Sequence, residues 1–368
     1  MIAPLLLAAV MDTLHVGGPF TRGRLPDRIN EASGMVASAQ HDVLWLVNDS
    51  GGDPSVYGVA DDGTLRAELR IVGAKNIDWE DMAYNPVTKT IYVADIGDNA
   101  AKRASVRLYN IPEPSDLGGP VLDVTPTMRD LVYPDGARDA ETLLCDPVTG
   151  ELFVVSKRER RNRLYRVPAK GDTLVFVTEL PFYLATGGDV SADGRYILVK
   201  NYAYVYGWTR AAGESVADAM RRPPYKIHYM PETQGECVAF ARDVSGYYTV
   251  TEREDGGPMA PIEFYPVVPT RTDIDRVRDV RRPSISVVPE PPVRGRYTIR
   301  YAVTDEANVT ITVRNMLGIT VATVADDVRE AGAQERDLDL SKSPAGTYIV
   351  TLRVGGTYAS TAVEHQQR

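Results

Sequence analysis

A chain of 368 residues has room for one large domain and a small one, and its 43% hydrophobic content is that of a globular protein. A net charge of −9 and a pI near 5.1 argue against nucleic acid or an anionic membrane surface as partner. No run of about 18 consecutive apolar residues occurs, so no helical membrane span is implied.

Met1–Met11 is short and apolar but lacks the basic stretch of a full signal peptide. It reads as the remnant of one, with a frayed N-terminal strand as the alternative. Residues 12–268 then read as one repeat domain. A motif returns five times, each copy just ahead of a short apolar strand: Glu31-Ala-Ser-Gly-Met35, Asp78-Trp-Glu-Asp-Met82, Asp139-Ala-Glu-Thr-Leu143, Gly187-Gly-Asp-Val190 and Gln234-Gly-Glu-Cys-Val238. Successive copies begin 47, 61, 48 and 47 residues apart. A near-fixed period of that size, filled with short strands, is the signature of a β-propeller.

Hairpin turns follow the motifs, at Asn85-Pro-Val-Thr-Lys-Thr, Asp146-Pro-Val-Thr-Gly-Glu, Ser191-Ala-Asp-Gly-Arg and Arg242-Asp-Val-Ser-Gly. Third strands are expected at Ser55–Ala60, Val106–Ile111, Leu164–Val167, Ala203–Trp208 and Ile262–Val268. Outer strands are expected at Leu65–Val72, Thr125–Tyr133, Thr173–Glu179 and Tyr225–Met230. The fifth repeat lacks a fourth strand, and Asp12–Leu25 belongs to no repeat. The economical reading is that this segment closes the fifth blade, giving a five-bladed propeller without an open edge. Six blades are the alternative, because the longest repeat carries extra material around Pro112–Asp135.

After Val268 the pattern stops. Residues 269–292 are charged and then proline-rich (Pro283, Pro289, Pro291, Pro292) and read as a stiff linker. Residues 293–368 hold strands at Tyr297–Val303, Asn308–Asn315, Ile319–Val324, Gln334–Leu340, Gly346–Val354 and Thr357–Val363, which suits an Ig-like β-sandwich. The whole chain is therefore all-β. Cys145 and Cys237 fall on the innermost strands of non-adjacent blades and read as buried free thiols. Trp45, Trp79 and Trp208 read as packing residues, with a sugar platform as the alternative.

The first strand of each propeller blade lines the central channel, so one acid per blade converges on the axis. Aligning the repeats on their apolar residues gives Glu80, Glu141, Asp189 and Glu236, with Ser33 in the first blade. Two residues earlier stand Glu31, Asp78, Asp139, Gly187 and Gln234, which point to the same face. Carboxylates crowded on one axis cannot all stay ionised without compensation. A hard cation with oxygen ligands resolves the repulsion, and Ca²⁺ accepts the loose geometry. The alternative is that these acids bind backbone N–H groups of the next blade, or water.

The loops after the second strands open on the same face: Asn48-Asp-Ser-Gly-Gly, Asp95-Ile-Gly-Asp-Asn99, Ser156-Lys-Arg-Glu-Arg, Lys200-Asn-Tyr-Ala-Tyr and Thr251-Glu-Arg-Glu-Asp. They bring Asp49, Asp95 and Asp98 together with Arg103, Lys157, Arg158, Lys200 and Arg253. Such a mixture suits a small anionic ligand held beside a metal-bound water. Solvated loops with surface ion pairs are the alternative. The sequence contains no P-loop, no dinucleotide fingerprint, no Gly-x-Ser-x-Gly elbow and no His pair at metal-binding helical spacing.

Three stretches resemble the C-terminal sorting domain of type IX secretion cargo: Tyr297-Thr-Ile-Arg-Tyr301, Val309-Thr-Ile-Thr-Val-Arg-Asn-Met-Leu-Gly318 and Ser343-Pro-Ala-Gly-Thr-Tyr-Ile-Val350. The resemblance covers about Ile285–Val363. It implies export to the cell surface or beyond by secretion machinery that reads this domain, with the domain removed on release or attachment. The usual Pro-Asn-Pro entry is here Pro289-Glu-Pro-Pro292. A related Ig-like module without a sorting role is the alternative.

The repeats resemble bacterial secreted propellers carrying Asp-Trp-Glu-Asp and Asp-Ile-Gly-Asp-Asn motifs. Through Glu80 and Glu236 they also resemble, distantly, the calcium-activated nucleotidases, which hold Ca²⁺ in the channel. Two functions follow as expectations: a metal-dependent hydrolase of phosphoester or ester substrates, or a non-catalytic surface protein that binds a glycan or protein while the ion is structural.

Overall fold

The computed structural model describes residues 13–254, 256–269, 282–290 and 294–366. The apolar segment Met1–Met11 and the linker stretches 270–281 and 291–293 lie outside the described residues.

The chain opens with β1 (Phe20–Arg24). A first sheet follows from β2 (Ala32–Ala37), β3 (Leu44–Asn48), β4 (Ser55–Val59) and β5 (Leu65–Ile71). The second holds β6 (Trp79–Asn85), β7 (Thr90–Asp95) and β8 (Val106–Pro112). The chain then runs through β9 (Val121–Val124) and β10 (Thr127–Leu131). Strand β10 completes the second sheet, whereas β9 adds to the first, parallel to β5. The excursion through β9 accounts for the extra length of the second repeat, and no further sheet forms there.

The third sheet is β11 (Ala140–Cys145), β12 (Leu152–Ser156), β13 (Arg163–Arg166) and β14 (Val175–Glu179). The fourth is β15 (Gly187–Val190), β16 (Tyr196–Lys200), β17 (Val205–Thr209) and β18 (Tyr225–Ile227), with α1 (Val216–Met220) between the last two. The helix was not expected from the sequence. It is a single turn started by Ser215, whose side chain accepts from the Asp218 N–H. The fifth sheet is β19 (Gly235–Phe240), β20 (Gly246–Thr251) and β21 (Pro261–Pro266), and β1 pairs with β21 as its outer strand. The N-terminal segment thus closes the last sheet, as its unassigned sequence suggested.

Each pair of successive sheets shares one apolar core. Trp45 and Trp79 lie in the core between the first and second sheets, and Trp208 in that between the third and fourth. The cores continue from the second to the third sheet, the fourth to the fifth, and the fifth back to the first. The ring of sheets therefore has no free end, which is the arrangement of a β-propeller. All three Trp are packing residues and both Cys are buried free thiols.

Beyond the ring, β22 (Ser284–Pro289), β23 (Arg296–Val303), β24 (Ala307–Asn315), β25 (Thr320–Arg329), β26 (Gly332–Asp339), β27 (Gly346–Val354) and β28 (Thr357–His365) form two sheets, ordered β22-β23-β26 and β25-β24-β27-β28. They face each other across one core containing Ile299, Ile311, Val350 and Leu352. Ser284–Pro289 corrects the linker reading: this stretch is a strand paired with β23. Its prolines sit just before the strand and at its last residue, and the strand lies at a sheet edge where a missing N–H is tolerated.

Candidate functional site

The innermost strands are irregular at the positions singled out by the repeat. Pairing skips Ser33 in β2, Glu80 in β6, Glu141 in β11 and Glu236 in β19. Each is a β-bulge, which inserts one residue and re-aims its side chain. Three of the four are glutamates, and Glu80, Glu141 and Glu236 each bring a carboxylate oxygen within 4.8 Å of the others. Strand β15 has no such bulge and pairs continuously from Gly187 to Val190. Asp189 therefore stands apart from the cluster: its two oxygens accept the N–H groups of Val190 and Phe240, each at 2.8 Å.

Lys157 enters this cluster from the loop after β12. Its ammonium pairs with Glu141, lies 3.6 Å from Glu236 Oε1 and donates to the Tyr202 hydroxyl at 3.1 Å. Tyr202 in turn donates to Glu236 Oε1 at 2.8 Å. Burial alone would discharge the ammonium, but Glu141 and Glu236 outweigh it and hold Lys157 charged. Burial pushes the Glu80 carboxyl well above the usual range, and Glu141, Asp49 and Glu236 push it further. Burial raises Glu141 as well, against the pull of Lys157.

A second acidic group shares Glu80. Asp49, Asp78 and Glu80 also offer oxygens within 4.8 Å of one another, and Asp49 and Asp78 are only partly buried. Burial, with Asp49 and Asp139 nearby, lifts the Asp78 carboxyl to about 6. Burial also raises Asp49. Glu252 is pushed to about 8 by burial and then by Glu236, Asp49 and Glu31. Glu80 and Asp78 close on the backbone of Gly97: a Cβ there would stand 2.2 Å from Glu80 Oε1 and 2.5 Å from Asp78 Oδ2. Glycine at 97 is what lets the two carboxylates approach the loop. An all-oxygen set cradled this closely fits a hard divalent cation.

Most other residues of the expected site are engaged within the protein. Asp95 is fully buried and pairs with Arg103 at 2.7 Å. Asp98 accepts the Arg103 N–H at 2.7 Å and donates its own N–H to Asp139 Oδ1 at 2.8 Å. The other Asp139 oxygen takes Arg158 Nε at 2.5 Å, and Arg158 also reaches Asn99. Lys200 is fully buried on Glu232, at 3.1 Å, and the Gly235 carbonyl, at 2.6 Å. Arg253 Nε donates to the Gly257 carbonyl at 2.9 Å. Glu31 is exposed at the rim.

Deeper in the channel lies Asp81, which counting alternate residues from Glu80 did not select. The bulge at Glu80 resets that alternation. The Asp81 carboxylate accepts the N–H groups of Met82 and Leu143 at 2.8 Å and of Gly188 at 3.3 Å.

Comparison with known proteins gives one family match and several distant folds. Residues 287–363 match the secretion system C-terminal sorting domain. No curated protein matches the chain. Similar solved structures include a chain of a nidogen/laminin complex, at 12% identity and TM-score 0.39, over 60% of this chain and 72% of that one. A luciferin-regenerating enzyme gives 9% identity and TM-score 0.42, over 68% and 95%. The β-propeller domain of Cps50 (Swd1) from Myceliophteria thermophila gives 12% and 0.38, over 73% and 79%. The strands from β22 to β28 thus carry the secretion signal, and the chain is a secreted or cell-surface β-propeller protein with a type IX C-terminal sorting domain.

Proposed function

We propose that this is a five-bladed propeller followed by an Ig-like sandwich, and that its channel mouth binds Ca²⁺ between Asp49, Asp78 and Glu80. The five cores linking neighbouring sheets and the β1–β21 pairing support the blade number. The observation that carries the ion is the approach of these three acids within 4.8 Å, with Asp78 and Glu80 held against the bare backbone of Gly97. Glu141 and Glu236 share Lys157, whereas Asp49, Asp78 and Glu80 form no ion pair among the described residues.

Of the two expected functions, the non-catalytic one is favoured. A hydrolase of phosphoesters needs free cations to hold its substrate. Arg103, Lys157, Arg158, Lys200 and Arg253 are each engaged by a partner inside the protein. The ion then staples the loops of the first two blades, and the mouth presents a formed surface to a glycan or protein ligand. A metal-dependent hydrolase is the second reading. It is supported by Glu252, which is not among the proposed ligands and whose carboxyl, raised to about 8 by burial, could take up a proton near neutral pH.

The test is a thermal melt with EDTA and then with Ca²⁺ restored. At ~100 times its dissociation constant an ion bound only to the folded state adds about 2.7 kcal/mol. The melting temperature is expected to fall with EDTA and recover with Ca²⁺, and Asp78→Asn with Glu80→Gln is expected to abolish the difference. An unchanged melt in EDTA sinks the ion site. Hydrolysis of a phosphoester panel that is lost in the same double variant would establish the second reading.

A further inference from the structure

The sheets of the sorting domain rest on the face where the channel opens. Met316, in the turn between β24 and β25, packs with Ile349 of β27 against Leu184 and Ala203 of the propeller. A polar rim surrounds this patch. Arg314 Nη1 donates to Thr233 Oγ1 at 3.0 Å and stands 3.4 Å from Glu254 Oε1. Arg353 Nη2 lies 2.7 Å from the other Glu254 oxygen. The Tyr204 hydroxyl donates to Glu364, and the Ser360 hydroxyl to the Pro231 carbonyl. An apolar centre ringed by polar contacts is the anatomy of a specific interface.

Two further observations tie this contact to the channel. A cavity of about 170 Å³ lies between the domains, with Lys157, Arg158 and Tyr202 on the propeller side and Asn315–Gly318 opposite. Leu184 has φ 56°, a left-handed backbone that a bulky aliphatic residue rarely adopts. Its N–H donates to the Lys157 carbonyl at 2.9 Å, so the residue facing Met316 and the residue neutralising Glu141 are held by one bond. Strained backbone of this kind collects at working surfaces.

We propose that the sorting domain is an intramolecular cap on the propeller. While docked it closes the Lys157 side of the channel mouth. When it departs, it uncovers the apolar and aromatic face formed by Leu184, Tyr202, Ala203 and Tyr204. The secretion signal thereby doubles as the device that keeps this face closed until the signal is gone. The cap does not depend on the ion at Asp49, Asp78 and Glu80, so either idea can fail alone.

The experiment uses the full chain with Ala203→Cys and measures maleimide labelling of the introduced thiol. Cys145 and Cys237, both buried in the propeller, act as internal reporters of its folding. In the otherwise unaltered chain the introduced thiol is expected to react at least tenfold more slowly than a free thiol. Adding Met316→Asp, which sets a charge against the apolar patch, is expected to speed labelling at least tenfold. Cys145 and Cys237 should stay protected and the circular dichroism unchanged. Arg314→Ala with Arg353→Ala is an independent way of loosening the rim and should act in the same direction. Free-thiol reactivity in the intact chain, or a rate that neither set of substitutions alters, overturns the cap.

Discussion

Asp81 accepts backbone N–H groups from Met82, Leu143 and Gly188, which belong to three different sheets. A single carboxylate therefore ties three of the propeller's sheets together. In Asp81→Ala the buried N–H groups of Leu143 and Gly188 lose their acceptor, at roughly 1–3 kcal/mol each. Urea denaturation should show stability falling by about 2–5 kcal/mol, and a loss below 1 kcal/mol would mean that the ring holds without this bond. Lys157 acts in the opposite sense, as the only cation paired with Glu141 among the described residues. Lys157→Met leaves Glu141 and Glu236 buried without it, a change that typically costs about 3–5 kcal/mol. The penalty is expected to be largest at high pH and to shrink as acid protonates Glu141, whose carboxyl burial raises. A pH-independent penalty would point to lost packing against Tyr202 instead. Gly188 shows the same crowding from the other side, since a Cβ there would meet the Leu198 carbonyl at 2.7 Å.

At the scale of elements, closure depends on β1, which runs antiparallel to β21 from Phe20↔Phe264 to Arg24↔Pro261. Deleting residues 13–24 uncovers β21 as a bare edge, and unpaired edges recruit other chains. Size-exclusion chromatography should show aggregation and calorimetry a lost or broadened transition, whereas a monomer melting as before would mean that β1 is dispensable. This element was legible beforehand because a strand was missing at one end of the repeat and spare at the other. The strands followed from alternation and from turn residues such as Asn85-Pro and Asp146-Pro. The site was legible only in part. Period alone identified Glu80, Glu141 and Glu236, but counting every second residue assumes an unbroken ladder. The bulges break it in β6, β11 and β19 and spare β15, so Asp81 was missed and Asp189 was placed in a ring it does not join. Nor does any spacing reveal Glu113, which accepts from Trp45 Nε1 at 2.7 Å across two sheets. Long-range polar pairs of that kind leave no periodic trace. Strand β22 was hidden by its prolines, and α1 by its brevity.

For the whole molecule, the crowded carboxyls set the response to pH. Burial raises Asp78 to about 6, Asp189 to about 7 and Glu252 to about 8, each above its unfolded value. Such groups hold their protons more tightly when folded. Their contribution is thus fully present below the unfolded pKa, near 4, and is lost as pH rises through the folded values. In the absence of divalent cations the melting temperature is expected to fall between pH 5 and 9. Ca²⁺ held at the proposed site would need Asp78 ionised, so its stabilisation should grow as pH rises through about 6. A metal-free melt that rises with pH would show that other groups dominate. The pairing of β1 with β21 has one more consequence, and it concerns time. Thr21 and Glu263 are bonded across 242 residues of sequence. At a synthesis rate of ~5–20 residues per second, the first strand waits on the order of ten seconds or more for its partner to exist. Throughout that interval the ring is an unlocked clasp. A chain that keeps Phe20–Arg24 from its partner stays unfinished and threadable, and docking that strand is the step that commits it to its final form.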